Sequence, residues 1–156
     1  MKSPLRPRLV NDPFRAEAMR QVRNECRSYM TRDQSRIGPI RQLIWFFLRY
    51  LPRMLRGEFL AWVYLAGGQP VGYGIIRKQG GRYWVTGGVK EAERGLGYGQ
   101  KIFEDLIRKN RGADTYLDVL GSNYRARALY AKLGFKIVPR HAASPARDIL
   151  VMVKNA

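Results

Sequence analysis

The chain has 156 residues, 46% of them hydrophobic and 12% aromatic, which suits one domain that buries roughly two-thirds of its unfolded surface. One cysteine (Cys26) and one histidine (His141) rule out an intrachain disulfide, argue against a Cys/His zinc site, and leave any Ser-His-Asp or Cys-His mechanism resting on His141 alone. Twenty-nine Lys and Arg against 12 Asp and Glu give a formal charge of +17, a field that attracts nucleic acid, nucleotides, acidic headgroups or coenzyme A.

The opening MKSPLRPRLVND is basic with no apolar stretch behind it, so no secretory signal is read there. The single thiol fits a reducing, cytoplasmic setting. Leu5 to Val10 predicts a short strand, and Asn11 or Asp12 caps a helix that has Pro13 in its first turn and runs to about Met30. Thr31 to Gly38 reads as a loop. Ile40 to Leu55 reads as a second helix, apolar on most sides and interrupted by Pro52. Its longest apolar run, Leu43 to Leu48, is far short of the ~20 residues that span a bilayer, and no stable membrane association is expected.

The period then changes from 3.6 to 2. Glu58–Leu65, Pro70–Lys78 and Arg82–Lys90 read as an antiparallel meander joined by Gly-rich turns. After Gly99 comes a helix with Ile102, Phe103, Leu106 and Ile107 on one face and Gly112 as its C-cap glycine. Thr115–Leu120 is a strand, Asn123–Leu133 a helix ended by Gly134, and Phe135–Pro139 and Asp148–Val153 two closing strands around the turn-rich stretch 140–147. No linker or repeat divides the chain. The expected product is a single α/β domain over residues 1–156 with helices on both faces of a mixed sheet.

Two segments carry chemistry. Arg94-Gly95-Leu96-Gly97-Tyr98-Gly99 lies between a strand and an amphipathic helix. Its glycines allow close backbone approach, and the helix start offers unpaired N–H groups to a pyrophosphate. The spacing is G-x-G-x-G, and Asp118 falls inside the next strand, so the dinucleotide fingerprint is not met. Downstream, Asn123, Ala126 and Tyr130 fall on one helix face; the alanine leaves room beside a phenol that can donate a proton.

Together these segments resemble the GCN5-related N-acetyltransferase (GNAT) superfamily. Its coenzyme loop, Gln/Arg-x-x-Gly-x-Gly/Ala, is matched by Arg94, Gly97 and Gly99. Its later helix, N-x-x-A-x-x-L-Y-x-x-x-G-F, is matched at Asn123, Ala126, Leu129, Tyr130, Gly134 and Phe135. The resemblance covers residues 83 to 137 and implies a mostly antiparallel sheet with splayed central strands. It further implies that backbone groups near Gly88 and Val89 pair with the pantetheine arm of acetyl-coenzyme A. Amides from Gly95 through Leu96, Gly97 and Tyr98 to Gly99, with Arg94 beside them, would hold the diphosphate; Asn123 would touch the arm, and Tyr130 would protonate the leaving thiolate.

The implied reaction is direct attack of a neutral amine on the thioester. The strand Arg82–Val89 contains no Asp or Glu where a base often sits, which leaves Glu91, Asp118, Asp33, Glu25 or a water chain. Arg23-Asn24, Ile37, Gln42 and Trp45-Phe46 are loosely similar to the amino-sugar and ribosomal-protein-modifying branches of the superfamily. Arg49, Arg53 and Arg56 make a basic stripe that would meet phosphates, lie on a membrane surface, or simply face water.

The +17 charge favours an anionic acceptor, a nucleotide-linked amine or a nucleic acid. Alternatives are acetylation of a protein amine and a nucleic-acid-binding protein that kept the fold without catalysis. Composition is the rival source of the charge, since Arg outnumbers Lys 21 to 8 and both parts of the chain are basic.

Overall fold

The computed structural model describes residues 3–31, 33–139 and 148–156. His141 and the turn-rich stretch 140–147 lie outside the described residues. Among the described residues, seven strands form one sheet in the order β1-β2-β3-β4-β5-β7-β6. They are β1 (Arg6–Leu9), β2 (Phe59–Ala66), β3 (Gln69–Gln79), β4 (Arg82–Val89), β5 (Thr115–Leu120), β6 (Lys136–Ile137) and β7 (Ile149–Lys154). Every neighbouring pair is antiparallel except β4 and β5. The mixed, mostly antiparallel sheet expected from the sequence is the one found.

Helices cover both faces. On one, α1 (Pro13–Glu25) and the helix α2–α3 (Pro39–Trp45, Leu51–Leu55) bury Ala16, Met19, Val22, Phe46 and Tyr50 against Ala61 and Tyr73. On the other, α4 (Tyr98–Lys109) and α5 (Tyr124–Lys132) bury Ile102, Phe103, Leu106 and Tyr130 against Trp62, Val85 and Leu117. Asp105 fixes α4 to the sheet: its carboxylate accepts from the Tyr64 hydroxyl at 2.7 Å and from Lys109 Nζ at 2.7 Å. Burial pushes this carboxyl up, but the hydrogen bonds from Lys109, Tyr64 and Arg108 outweigh that and hold it below the ordinary carboxylate value.

Helix starts follow the sequence closely. Asp12 caps α1 by accepting from Arg15 N at 2.8 Å, and Asn123 caps α5 by accepting from Ala126 N at 3.2 Å. Helix ends follow it less well. The helix α1 stops at Glu25 and passes into a 3-10 turn over Arg27–Tyr29, because its last turn is tied to the loop that folds back over it. Buried Arg23 donates to the carbonyls of Ser35 and Asp33, while Asn24 exchanges two hydrogen bonds with Ile37, both 2.9 Å long. Arg23-Asn24 therefore builds the loop and is not free to read an acceptor. Gln42 is likewise structural, donating to Ala16 O at 3.0 Å in the α1–α2 contact.

Pro52 does not interrupt the second helix. A π turn over Phe46–Tyr50, in which Leu51 N bonds back to Phe46 O, shifts the ladder so that Pro52 enters near the start of the next helical segment. A proline's missing N–H is tolerated at that position. Gly112 is not the cap of α4: the cap is Asn110, whose Nδ2 donates to Thr115 Oγ1 at 2.8 Å, and Gly112 lies in the turn beyond. The strand expected at Phe135–Pro139 shrinks to Lys136–Ile137, since Phe135 turns into the core against Tyr130.

Candidate active site

The parallel pair β4–β5 is in register only at Tyr83↔Thr115 and Trp84↔Tyr116. Beyond these residues the strands part, β4 staying with β3 to Val89 and β5 with β7 to Leu120. A cleft of about 700 Å³ opens at their carboxyl ends, where the turns into α4 and α5 also lie. Such a crevice, outside the ends of neighbouring parallel strands, is where open α/β sheets bind ligands.

The glycine loop forms one wall. Gly95 and Gly97 have φ of 83° and 81°, a left-handed backbone that side-chain-bearing residues avoid. Gly97 is the N-cap of α4 and offers no side-chain cap, and the first intrahelical bond is Lys101 N to Gly97 O at 3.3 Å. The amides of Tyr98, Gly99 and Gln100 therefore have no acceptor within the helix, and all three residues line the cleft. Arg94, Gly95 and Gly97 line it too; Leu96 does not, so of the six loop positions only this one stands outside. Arg125, which the sequence reading passed over, stands across the loop with Nη2 3.9 Å from where a Cβ on Gly95 would be. Its signal was a cation in the first turn of α5.

Gly88 and Val89 both line the cleft, but their backbones face opposite ways. Lys90 N bonds Val71 O, and residues along a strand alternate sides, so Gly88 turns its amide and carbonyl toward β3. Gly87 and Val89 are the ones facing the gap. These are the backbone groups near Gly88 and Val89 that are free of β3, and at Gly88 itself what matters is the missing side chain. A Cβ there would sit 2.9 Å from Cys26 Sγ and 3.0 Å from the Tyr73 ring. Val89 O already accepts from the Cys26 thiol at 3.3 Å and from Arg94 Nε at 3.4 Å. Arg94 also stacks over the Tyr29 ring, 4.6 Å from its centroid.

Tyr130 lies where the walls meet, its ring 4.8 Å from Phe103 and 6.0 Å from Phe135. Burial pushes its phenol well above the ordinary value of 10, so the hydroxyl stays protonated. Ala126, one turn earlier, also lines the cleft, as does Asn123, whose Oδ1 is spent as the helix cap; any ligand contact falls to its amide nitrogen. Tyr73 and Cys26, brought in from β3 and from the C-cap of α1, were not singled out as site residues from sequence. Burial raises both, with Arg94 partly opposing the rise at the thiol.

The four carboxylates considered as bases separate cleanly. Glu25 is exposed with Lys90 Nζ 3.8 Å away, and Glu91 is exposed in a 3-10 turn; neither lines the cleft. Asp33 lines the rim, but hydrogen bonds from Ser35, then Arg23 and Arg41 at 3.7 Å each, lower its affinity for a proton. Asp118 sits on β5 within the cleft, and Glu93, unconsidered before, lines it near the loop.

Residues 17–135 match the model of the acetyltransferase (GNAT) family. The chain is 38% identical over 78 residues to N-alpha-acetyltransferase RimI of Mycobacterium tuberculosis; the match covers 47% of this chain and spans about half, 49%, of that relative. Among solved structures, yncA of Salmonella typhimurium, described as a putative acetyltransferase with its cofactor acetyl-CoA, superposes with a TM-score of 0.75 at 20% identity, covering 97% of this chain and 93% of that one. A ribosomal-protein-alanine N-acetyltransferase from Brucella melitensis gives 0.74 at 19% identity over 98% and 99% of the two chains. The superpositions establish the fold, and the family match, running from α1 through the glycine loop to Phe135, establishes the lineage: the chain belongs to the GNAT acetyltransferase family.

Proposed function

We propose that the chain transfers an acetyl group from acetyl-coenzyme A to an amine of another protein, an α-amino group in particular. The observation that carries the donor half is the gap between β4 and β5 with unsatisfied α4 amides at its mouth. A diphosphate needs such amides and the Arg125 and Arg94 cations, and an extended amide-bearing arm needs backbone groups facing the gap, which Gly87 and the N–H of Val89 supply. The bound cosubstrate contributes a thioester, an acyl group that amines attack without further activation of the carbonyl carbon.

The protein aligns the reactants and moves protons. Tyr130 donates to the departing sulfur. Asp118, which lines the cleft from β5, takes the amine's proton. The scarcity of bases supports an α-amino acceptor over a lysine. With a pKa of about 8 the α-amine is roughly a tenth neutral at pH 7, whereas a lysine near 10.4 is neutral in about one molecule in 2,500.

The relative that shares 38% identity over 78 residues is itself named an N-alpha-acetyltransferase, which favours this acceptor over the nucleotide or nucleic acid that charge alone suggested. The test is incubation with labelled acetyl-coenzyme A and separate pools of peptides with free N-termini, nucleotides and DNA. Label on peptide α-amines is expected. Label confined to nucleotides or DNA contradicts the acceptor, and label nowhere contradicts the reaction.

A further inference from the structure

The helix Pro39–Leu55 has two apolar sides. One, carrying Phe46 and Tyr50, is buried against α1 and β2. The other faces water: Ile40, Leu43, Ile44, Phe47, Leu48 and Leu55 are between 44% and 76% exposed. Ile40, Ile44, Phe47, Leu48 and Leu55 recur at i, i+4, i+7, i+8 and i+15, so they form a stripe roughly 25 Å long. A contiguous row of large apolar groups on a surface marks an interaction site.

Charge narrows what covers it. From Gln34 to Gly57 there are five arginines and no acidic residue. Asp33 and Glu58 at the two ends lie 3.7 Å from Arg41 and 3.3 Å from Arg56, while Arg49 has no ion-pair partner among the described residues. A second copy of this chain would bring two arginine sets together inside a protein of charge +17. Nucleic acid suits the arginines but not a stripe in which Phe47 is the one ring, because aliphatic groups neither stack on bases nor hydrogen-bond to them. An acidic lipid surface satisfies both: the aliphatic row enters the headgroup–acyl boundary and the guanidiniums meet phosphates.

We infer that Pro39–Leu55 is an interfacial helix that seats the protein on an anionic bilayer through its Ile40–Leu55 stripe. The sequence rule that spoke against membrane association concerned spanning, and among the described residues no helix is long and apolar enough to span. Lying flat needs only one apolar face. The inference stands apart from acetyl transfer, although the two meet at Phe59, which lines the cleft and packs on Trp45 and Tyr50 of this helix.

The test is co-sedimentation of the full chain with vesicles of equimolar phosphatidylglycerol and phosphatidylcholine, and with vesicles of phosphatidylcholine alone. Binding to the first, weakened by added salt, is expected, with little binding to the second. Ile44→Glu with Leu48→Glu, both at exposed positions, lowers partitioning about tenfold or more with the thermal melt unchanged. Arg49→Glu alone lowers it by a smaller factor. Absence of binding to the anionic vesicles, equal binding by the double variant, or a wild-type dimer that the double variant dissociates would each overturn the inference. The last of these would assign the stripe to a second copy.

Discussion

Tyr130→Phe is expected to lower turnover at least about tenfold while leaving coenzyme affinity and folding unchanged. The ring does structural work against Phe103 and Phe135, and phenylalanine keeps it. What goes is the hydroxyl, which in this account supplies the proton to the departing thiolate, a step absent from the ground state. The loss therefore appears in kcat and not in coenzyme binding.

The pH profile carries the same information. Burial raises the phenol, so the donating, protonated form persists as pH climbs through its ordinary value of 10. The wild-type alkaline limb is then expected above pH 10, not below it. In the same assay, Asp118→Asn is expected to lower kcat, because it removes the carboxylate that takes the acceptor's proton. A Phe variant with undiminished turnover removes Tyr130 from the acid role.

Gly97→Val is expected to abolish coenzyme binding, a fall of about a hundredfold or more. A Cβ at Gly97 meets nothing within 4 Å, so the protein itself has room for it. Two other effects decide the outcome. The φ of 81° costs a side-chain-bearing residue ~1–2 kcal/mol, more for a β-branched one, and the new side chain projects beside the amides that would grip a diphosphate.

Gly112→Val separates these effects. Gly112 has φ of 86° and equally open surroundings, but it lies in the turn after α4, away from the cleft. It bears the same backbone strain with no ligand nearby. The account predicts that both variants lose similar stability on melting and that Gly97→Val alone loses the coenzyme. Equal coenzyme affinity in the two variants would reduce the glycine loop to a tight turn.

The parts of the site legible in sequence are those built by local rules. Glycines at 95 and 97 ahead of an amphipathic run announce a left-handed approach to a helix start, and Asn123 three residues before Ala126 announces a cap; both are found. Gly87, Tyr73 and Cys26 were missed because nothing local marks them, whereas Arg125 carried a local signal as a cation in the first turn of α5. Tyr73 reaches the cleft through the β3–β4 register, in which it faces Gly88, and Cys26 arrives at the C-cap of a helix 63 residues before the carbonyl it touches. Arg23-Asn24 misled for the converse reason: its partners at 33 to 37 become visible only when the loop folds back. Pro52 misled because a proline's usual cost assumes an unbroken i−4 ladder, and the π turn just before it shifts that ladder.

A crystal structure of the chain with coenzyme A tests the central claim most directly. The account places the diphosphate on the amides of Tyr98, Gly99 and Gln100 with Arg125 beside it, and runs the pantetheine arm along Gly87 and Val89 between β4 and β5 toward Tyr130. A coenzyme bound elsewhere, or a gap in which β4 and β5 close on each other and exclude it, would contradict that account.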